Sequence, residues 1–515
     1  MYMRNKPDYI LYNGNFISMD EMRKRYYAIG ITGDIISAVW EKPCQMPRRF
    51  FGTKMLDLGG KTVLPGFIDS NVHVVSGGLI QYCVEIEANS KSEFLQKLHQ
   101  RAQEYEAGEL IWCIGHNAEI MELNRWDLDK VSSMHPIVVS KTEFHKTFLN
   151  TSAYNLLQVS SSVSGILRDE QGMPTGVLQG EASGFARRKL YTHFITDDIR
   201  KIAISDMEQK ALQHGITTIN AMEGGAFFSN QDIYMVQEFA KQSKLEILTF
   251  PQTMDVTAVQ KANIPRIGGN IYLDGSIASQ TAAMYQPYIN GDTGTLYYSQ
   301  EDVNQFVLEA HAAGLQIALS CIGPKAIEQA LTAFAAVFKM KGRGDLRHRL
   351  ELFVLPSEKQ IDRAISMGLI LSMRANYDAY WGGLGGKYAK LIGDKWSKTN
   401  PIGTVIRKGG IVAGGSEYAV TSLNPMKSIA SCLLHHSPDQ RISLYEALKT
   451  FTVNGAYANM AEDRIGKIQV GMQADLVVLD KDPFKMPPNE LETLRVETTV
   501  KRGAIVYTRE GMSWK

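Results

Sequence analysis

Three polar residues at alternate positions close the stretch VLPGFIDSNVHVVSGG, which spans residues 63–78. Side chains alternate between the two faces of an extended strand, so Asp69, Asn71 and His73 point the same way if this stretch is a strand. A carboxylate, an amide and an imidazole on one face can hold a cation or move a proton. The stretch therefore predicts a chemical site at the carboxyl end of a strand. The alternative is a strand that runs into an ordinary polar loop.

Size and composition limit the classes of protein that this chain can represent. It has 515 residues, of which 44% are hydrophobic and 21% charged, with 55 Lys and Arg against 54 Asp and Glu. This length indicates one large α/β barrel with an added domain, or two to three ordinary domains. The balanced charge gives no indication of nucleic acid or an anionic membrane as partner. The sequence shows no signal peptide and no long apolar run, and its five scattered cysteines favour a reduced, cytoplasmic protein.

Both ends of the sequence are rich in strand signals. Residues 8–57 contain short apolar runs separated by tight-turn sequences such as Asn13-Gly14. Residues 474–507 show the same pattern, with a turn at Arg502-Gly503. We therefore predict that residues 1–60 and 456–515 fold together into one small β-sandwich domain.

The middle of the chain alternates strand-like and helix-like segments, which predicts a parallel sheet with right-handed crossovers. The predicted strands are 63–68, 216–221, 246–250, 270–273, 316–319, 350–354, 369–373 and 411–415. Eight strands favour a closed (β/α)8 barrel from residues 61–78 and 201–455, with a doubly wound open sheet as the alternative. This count requires residues 79–200 to form an α/β insertion after the first strand. We expect that insertion to cover the pocket.

In such a barrel the reacting groups lie at the carboxyl ends of the strands. The residues near those ends are mostly polar, and the set includes Asn71, His73, Asn270, Asp274, Ser320, Glu351, Arg374, Asn376 and Glu417. They predict a polar pocket with few histidines. The sequence Arg347-His348-Arg349 is expected to be a solvated or ion-paired rim.

The sequence resembles the amidohydrolase superfamily, specifically its YtcJ-like branch of N-acyl and N-formyl amide hydrolases. The resemblance covers nearly the whole chain. It rests on LPGFIDSNVH (64–73), FHKTFLN (144–150), PTGVL (174–178), LDGSIASQTAA (273–283), AHAAGLQIALSCIG (310–323), RHRLE (347–351), GGSE (414–417) and a long closing segment at 442–484. It implies a metal-bearing barrel, a β-sandwich from both termini and an insertion after strand one.

Within this resemblance, most metal-ligand positions carry other residues. They read Asn71, Asn270, Ser320, Leu352 and Glu417 here, whereas His73 and His145 are retained. Zinc is bound by imidazole, thiolate or carboxylate, and a catalytic site needs three such ligands. We therefore expect no bound metal. The alternative is one Zn²⁺ held by His73, Glu417 and His145, with Glu181 or Glu223 as other third ligands.

Four of the substituted positions remain polar, which indicates a small-molecule site with altered chemistry. A desolvated Glu417 suits general acid–base catalysis with His73 as its proton partner, and Asn71 and His145 complete the predicted catalytic set. The predicted substrate-binding residues are Asn270, Asp274, Ser320, Arg374 and Asn376. Asp274 also fits an anchor for backbone amides. Cys321 is the less favoured nucleophile, because its neighbour Ser320 takes the inward-facing position.

Three functions remain open at this point. The resemblance implies hydrolysis of an amide-type, non-peptide C–N bond with a reduced or absent metal site. The second is a metal-independent isomerase, cyclase or lyase that uses Glu417 and His73. The third is a catalytically silent barrel that binds a ligand or a partner protein. In each enzymatic case we expect a small-molecule substrate, with a homodimer as the assembly to consider.

Overall fold

The computed structural model describes residues 6–46, 53–115, 122–141, 146–225 and 229–510. The strands are β1 Tyr9–Tyr12, β2 Asn15–Ile17, β3 Arg25–Tyr26, β4 Ala28–Thr32, β5 Ile35–Trp40, β6 Lys54–Asp57, β7 Thr62–Pro65, β8 Phe67–Val72, β9 Val84–Ile86, β10 Ile111–Gly115, β11 Ile137–Lys141, β12 Lys146–Leu149, β13 Ile166–Arg168, β14 Pro174–Gln179, β15 Ile216–Glu223, β16 Glu246–Pro251, β17 Arg266–Tyr272, β18 Gln316–Cys321, β19 Arg349–Leu352, β20 Ile370–Met373, β21 Val412–Gly414, β22 Leu476–Leu479, β23 Val496–Lys501 and β24 Ala504–Thr508.

The helices are α1 Val74–Leu79, α2 Lys91–Ala102, α3 Arg125–Asp129, α4 Thr151–Leu156, α5 Gly180–Phe194, α6 Asp197–Gln213, α7 Asn230–Ala240, α8 Val256–Lys261, α9 Gln300–Ala312, α10 Pro324–Lys341, α11 Glu358–Ser366, α12 Ala375–Trp381, α13 Lys387–Ile392, α14 Ile402–Arg407, α15 Pro425–Leu434, α16 Leu444–Thr450 and α17 Val453–Ala458. The mixed α/β content agrees with the predicted class.

Two parallel sheets form the centre of the molecule. One has the order β16-β15-β8 and the other the order β17-β18-β19-β20-β21. They meet at both sides. An isolated parallel bridge joins Val72, the last residue of β8, to Tyr418 after β21. On the other side, the Gln252 side chain after β16 donates to the Asn270 carbonyl of β17 at 2.7 Å. All carboxyl ends of these strands therefore face one region.

Strand β17 begins four residues before the segment predicted at 270–273. The reason is the pair Gly268-Gly269, which is weak as a strand signal. A side chain at Gly269 would come within 1.8 Å of the Phe250 carbonyl oxygen, and one at Gly268 within 2.6 Å of the Ala318 carbonyl oxygen. Glycine is required here because the neighbouring strands approach so closely.

Both chain ends contribute strands to one six-stranded sheet of order β24-β23-β22-β7-β2-β3. A second sheet has the order β5-β4-β1-β6. One apolar cluster contains side chains from both sheets, among them Ile31 and Leu56 of the second sheet and Val63, Leu476 and Val500 of the first. The two sheets therefore share a core.

The strand predicted at 63–68 is two strands, which corrects the sequence-based boundary. Strand β7 pairs antiparallel with β22, whereas β8 pairs in parallel with β15. The chain changes sheet at Gly66, whose amide donates to the Asp475 carbonyl at 2.8 Å. A Cβ atom at Gly66 would lie 2.4 Å from the Thr217 side chain, so only glycine fits this crossing.

Residues between β8 and β15 form a separate sheet of order β13-β14-β12-β11-β10-β9. Its own apolar cluster includes Phe94, Leu98, Ile111 and Val139. The segment ends in α5, which leads toward α6 and back to the parallel strands. Among the described residues, no helix has both the length and the apolar character that a membrane crossing requires.

Candidate functional site

Six polar residues come together at the carboxyl ends of the parallel strands. We call them the strand-end cluster: Asn71 of β8, Asn270 of β17, Ser320 of β18, Glu351 of β19, Arg374 after β20 and Glu417 after β21. Each is at most 3% exposed. Buried polar groups at this density must be paired with each other or with a ligand, so the contacts within the cluster decide what it can do.

Glu351 lies between two buried guanidinium groups. Its Oε1 accepts from Arg349 Nε at 2.7 Å and its Oε2 from Arg374 Nη2 at 2.8 Å, and both arginines are fully buried. Burial opposes the charge of the carboxylate, but the two guanidiniums hold the pKa of Glu351 below its usual range. Arg349 also lies over the Phe250 ring at 4.8 Å and donates to Asn220 and Ser372. The centre of the cluster is therefore an Arg–Glu–Arg ion network.

Two asparagines bind the carboxylates of the cluster through their amide nitrogens. Asn71 Nδ2 donates to Glu351 Oε2 at 2.8 Å, and Asn270 Nδ2 lies 3.5 Å from Glu417 Oε1. Asn270 has a φ of 65°, a left-handed conformation that asparagine tolerates better than most residues. Its side chain is turned out of the regular strand and toward Glu417.

Glu417 has the properties of an acid–base group. Burial raises the pKa of Glu417 to about 7, although the charge of Arg374 and hydrogen bonds from Tyr377 and Asn270 oppose the rise. The Tyr377 hydroxyl makes a very short hydrogen bond to Glu417 Oε2. The Glu417 amide donates to the Asn71 carbonyl at 2.7 Å, which fixes the residue against β8. A carboxyl group with a pKa near neutrality can both accept and release a proton.

His73 and Asp69 flank Asn71 on β8 and the turn that follows. His73 Nδ1 lies 2.8 Å from the Met222 carbonyl, so Nδ1 carries the ring proton, and burial lowers the pKa of His73 to about 4. The ring is therefore neutral at pH 7. Asp69 Oδ1 accepts from the amides of Asn71 and Ser416, at 3.1 and 2.9 Å. Asp69 thus holds the first and last parallel strands together.

Two of the predicted substrate-binding residues have structural contacts instead. Asp274 accepts from the amides of Ala283, Ile322 and Gly323 at 2.7 to 3.0 Å, so its carboxylate is occupied as a loop anchor. Asn376 lies on α12 and bonds Thr421, Ser428 and Ser431. The contacts of Asp274 are those of the anchor for backbone amides that the sequence also indicates, and the substrate-binding role of both residues stays a prediction. Ser320 and Arg374 lie in the cluster, as does Asn270.

The structure also places the residues predicted as other metal ligands, the less favoured nucleophile and the segment 347–349. His145 lies outside the described residues. Glu223 accepts from the Val74 amide at 2.5 Å at the start of α1, and burial raises its pKa well above the usual range. Glu181 accepts from the Ser164 hydroxyl within the insertion, and Cys321 is buried in the main apolar cluster. The segment 347–349 was expected to be a solvated or ion-paired rim. Arg347 is ion-paired with Glu462 and Arg349 with Glu351, but Arg349 is fully buried and therefore does not lie at a rim.

The metal-binding side chains among the described residues do not fit a metal ion. Across the described ranges, no three His, Cys, Asp or Glu side chains gather in a way that would hold one. Leu352 is buried among apolar side chains, Glu351 is engaged by two guanidiniums, and Glu417 is bonded to Tyr377. The permanent positive charge of Arg374 next to both carboxylates also repels a divalent cation.

An open cleft of about 790 Å³ is lined by residues of the insertion, of strand β17 and of the loops that follow β16 and β17. The insertion contributes Gly180, Gly184 and other residues of α5 to the lining, and the parallel strands contribute residues that follow β16 and residues at the end of β17. The apolar part of its lining is Met254, Ile271, Tyr272, Leu296, Tyr297 and Tyr298. Gln252, which also lines the cleft, donates to the Asn270 carbonyl. Burial raises the pKa of Tyr272, and the charge of Glu417 adds to the rise. No residue of the strand-end cluster lines the cleft itself, and Gln252 and Tyr272 are the lining residues that connect it to the cluster.

Sequence reasoning missed Tyr377, Gln252 and Tyr272, and it underrated Arg349. The spacing of Arg349 and Glu351 by two on one strand is a signal that both face the same side. Tyr377 lies on α12, and no spacing rule places a helix residue against Glu417.

A polar cluster at the carboxyl ends of parallel strands lies where α/β barrel enzymes carry their active sites. The family is shown by comparison: residues 54–507 match the model described as the amidohydrolase family, and the chain belongs to it as a YtcJ-like member. The putative amidohydrolase YtcJ of Bacillus subtilis is 25% identical over 496 residues, covering 89% of this chain and 91% of YtcJ. The N-substituted formamide deformylase of Arthrobacter pascens is 23% identical and covers 99% of this chain and 100% of that protein.

Solved structures support the same fold. An uncharacterized metal-dependent hydrolase from Pyrococcus horikoshii OT3 superposes with a TM-score of 0.74 at 20% identity, covering 93% of this chain and 99% of its own. A similar protein from Pyrococcus furiosus gives 0.72 at 21% identity, over 92% and 99% of the two chains. Family and relatives together make this chain an amidohydrolase-type enzyme, that is, a hydrolase.

Proposed function

We propose that this protein hydrolyses an amide-type, non-peptide C–N bond of a small molecule and that Glu417 is its general acid–base group. The observation that carries the proposal is a buried carboxyl with a pKa of about 7 at the strand ends, bonded to Tyr377 and next to Arg374. A relative over the whole length of the chain is named for the deformylation of N-substituted formamides, which supports an amide as substrate class.

The proposed reaction uses the residues of the cluster in two stages. Ionised Glu417 takes a proton from water, whose oxygen forms a bond to the amide carbonyl carbon. Arg374 and Ser320 donate to the oxyanion that develops on the carbonyl oxygen. Protonated Glu417 then gives its proton to the leaving nitrogen, the C–N bond breaks, and an acid and an amine are released. Neutral His73 acts as a hydrogen-bond partner that orients the water.

No step of this scheme passes through a metal, because the described donor set does not fit one. In this scheme the positive charge of the site comes from the buried guanidinium groups of Arg349 and Arg374. Around this site we propose that the two parallel sheets close into the (β/α)8 barrel and that the terminal sheets form the sandwich. The bridge from Val72 to Tyr418 and the shared apolar cluster support both parts.

Glu417→Gln tests the acid–base assignment. We expect turnover of a formamide such as formanilide to fall by about 10²- to 10⁴-fold while its binding persists, because the amide keeps the shape and loses the proton transfer. Glu238→Gln is the control, since Glu238 is an exposed partner of Lys241 on α7. Unchanged turnover in the Glu417 variant refutes the assignment.

The contact of Tyr377 with Glu417 favours a second candidate, a metal-independent isomerase, cyclase or lyase. A phenol and a carboxyl joined by a very short hydrogen bond can pass a proton between two substrate atoms without water as reactant. Reaction in H₂¹⁸O separates the candidates. Hydrolysis places ¹⁸O in the product acid, whereas proton transfer alone leaves the product unlabelled.

A further inference from the structure

Four buried polar atoms of the strand-end cluster have no hydrogen-bond partner among the described residues. They are Asn71 Oδ1, Asn270 Oδ1, Ser320 Oγ and Arg374 Nε. All four residues are fully buried. Native proteins leave few such atoms unpaired, because each costs free energy, so an unpaired group within a candidate site indicates a ligand.

The orientation of both asparagines is fixed by chemistry. Glu351 is ionised and accepts only, so the Asn71 group that faces it at 2.8 Å must be the NH₂. Asn270 Nδ2 faces Glu417 Oε1 at 3.5 Å, and the ionised form of Glu417 that starts the proposed reaction can only accept from it. The remaining side-chain oxygens of both residues are therefore acceptors directed elsewhere.

The other two unpaired atoms are donors. Arg374 Nε carries a hydrogen and has no lone pair to offer, and the Ser320 hydroxyl can donate. Ser320 is the register partner of Glu351 on β19 and of Tyr272 on β17, and register partners of parallel strands point to the same face. The cluster thus offers two acceptors and two donors to whatever occupies it.

This pattern selects among ligand groups. A carboxylate has only acceptors, so the two asparagine oxygens would repel it. A metal cation would be repelled by the positive charge of Arg374. An amide that carries an N–H has both a donor and an acceptor and matches both halves of the set. We infer that Asn71 and Asn270 recognise the N–H, and Ser320 and Arg374 the carbonyl, of an amide, formamide or urea group. The inference rests on the proposed function and narrows its substrate class to N–H-bearing compounds.

The cleft beside the cluster has room for the rest of such a molecule. Its volume of about 790 Å³ and its three tyrosines suit a flat apolar or aromatic substituent. Tyr272 belongs both to the cleft lining and to the surroundings of Glu417. A substituent on the amide nitrogen or on the acyl carbon would therefore lie between Tyr272, Tyr297 and Tyr298.

Binding of matched compounds tests the inference without depending on turnover. The probes are formanilide and acetanilide, each against its N-methyl counterpart that has no N–H, measured by titration calorimetry with the full chain. We expect the N–H compounds to bind at least about tenfold more tightly, since a lost hydrogen bond leaves a buried acceptor unpaired. Equal affinity within each pair, or no binding of any N–H compound up to its solubility, overturns the inference.

A serine pair provides the variant and its control. Ser320→Ala removes a hydroxyl that makes no hydrogen bond to any described residue, so the fold is not at risk, and formanilide should bind about three- to tenfold more weakly. Ser70→Ala removes another buried, unpaired hydroxyl on β8 outside the cluster and should leave affinity unchanged. Equal affinity of Ser320→Ala and the parent refutes the role of Ser320. If the N–H preference holds but no probe is hydrolysed, the recognition stands and the hydrolytic proposal fails.

Discussion

Replacement of Glu351 by glutamine tests whether the Arg–Glu–Arg network holds the strand ends together. The carboxylate accepts from Arg349, Arg374 and Asn71 at 2.7 to 2.8 Å, and it is fully buried. In Glu351→Gln two guanidiniums lose their shared counter-charge, and the new NH₂ group faces at least one donor. Breaking a buried ion pair from one side costs about 3–5 kcal/mol, so we expect a loss of this size.

The matched control is Glu462→Gln at the Arg347 pair. Glu462 makes two bonds of 2.8 Å to Arg347, but its side chain is 35% exposed, so solvent screens the interaction. Its loss should cost at most about 1 kcal/mol. Urea unfolding followed by circular dichroism compares both variants with the parent chain.

The double variant Glu351→Gln/Arg374→Met supplies the second arm of the test. It removes one of the two uncompensated charges, so it should be more stable than Glu351→Gln alone. The electrostatic reasoning is wrong if Glu351→Gln loses no more stability than Glu462→Gln, or if the double variant is the less stable of the two Glu351 variants.

Three further predictions concern pH, metal and stability. Burial raises the pKa of Glu417 from 4.5 to about 7, so the folded state favours the neutral acid and loses stability as pH rises from about 4.5 through 7. The free energy of unfolding of Glu417→Gln, relative to that of the parent, should therefore rise by about 3 kcal/mol from pH 4.5 to pH values above 7. Urea titrations at several pH values measure this difference, and parallel curves for the two proteins contradict the prediction. Prolonged dialysis against EDTA should leave the melting temperature unchanged, and mass spectrometry should find less than one metal ion per chain. A fall in melting temperature that added Zn²⁺ reverses disproves the expectation that no metal is bound. Without ligand, Ser320→Ala should raise the free energy of unfolding by about 1 kcal/mol, because it removes a buried hydroxyl that makes no hydrogen bond to any described residue. A lower melting temperature of the variant in thermal melts counts against this prediction.

Local sequence patterns located the parallel strands because apolar, β-branched runs mark buried strands well. The segment at 316–319 is part of β18, and that at 369–373 is close to β20. The run at 63–68 was misjudged because β7 and β8 are both apolar and only the close approach of Gly66 to Thr217 separates them. Such a contact between residues far apart in sequence leaves no local pattern.

The site was predicted in part. Alternation along β8 and the strand-end rule place Asn71, Asn270, Ser320 and Glu417 correctly in one region. The roles of Asp274 and Asn376 could not be separated from binding, since an anchor and a ligand contact need the same polar side chains. The burial of Arg349 depends on Phe250 and Glu351 as neighbours, and charge composition alone favours exposure of an arginine.

The bonds between β8 and the residues after β21 have a consequence for folding. Asp69 and Ser416 are 347 positions apart, yet the Ser416 amide donates to the Asp69 carboxylate. Contacts of such long range form late, because the loop entropy must be lost before they contribute. During refolding from urea, helical signal should therefore return before affinity for an amide ligand, so ligand binding reports the last step of assembly.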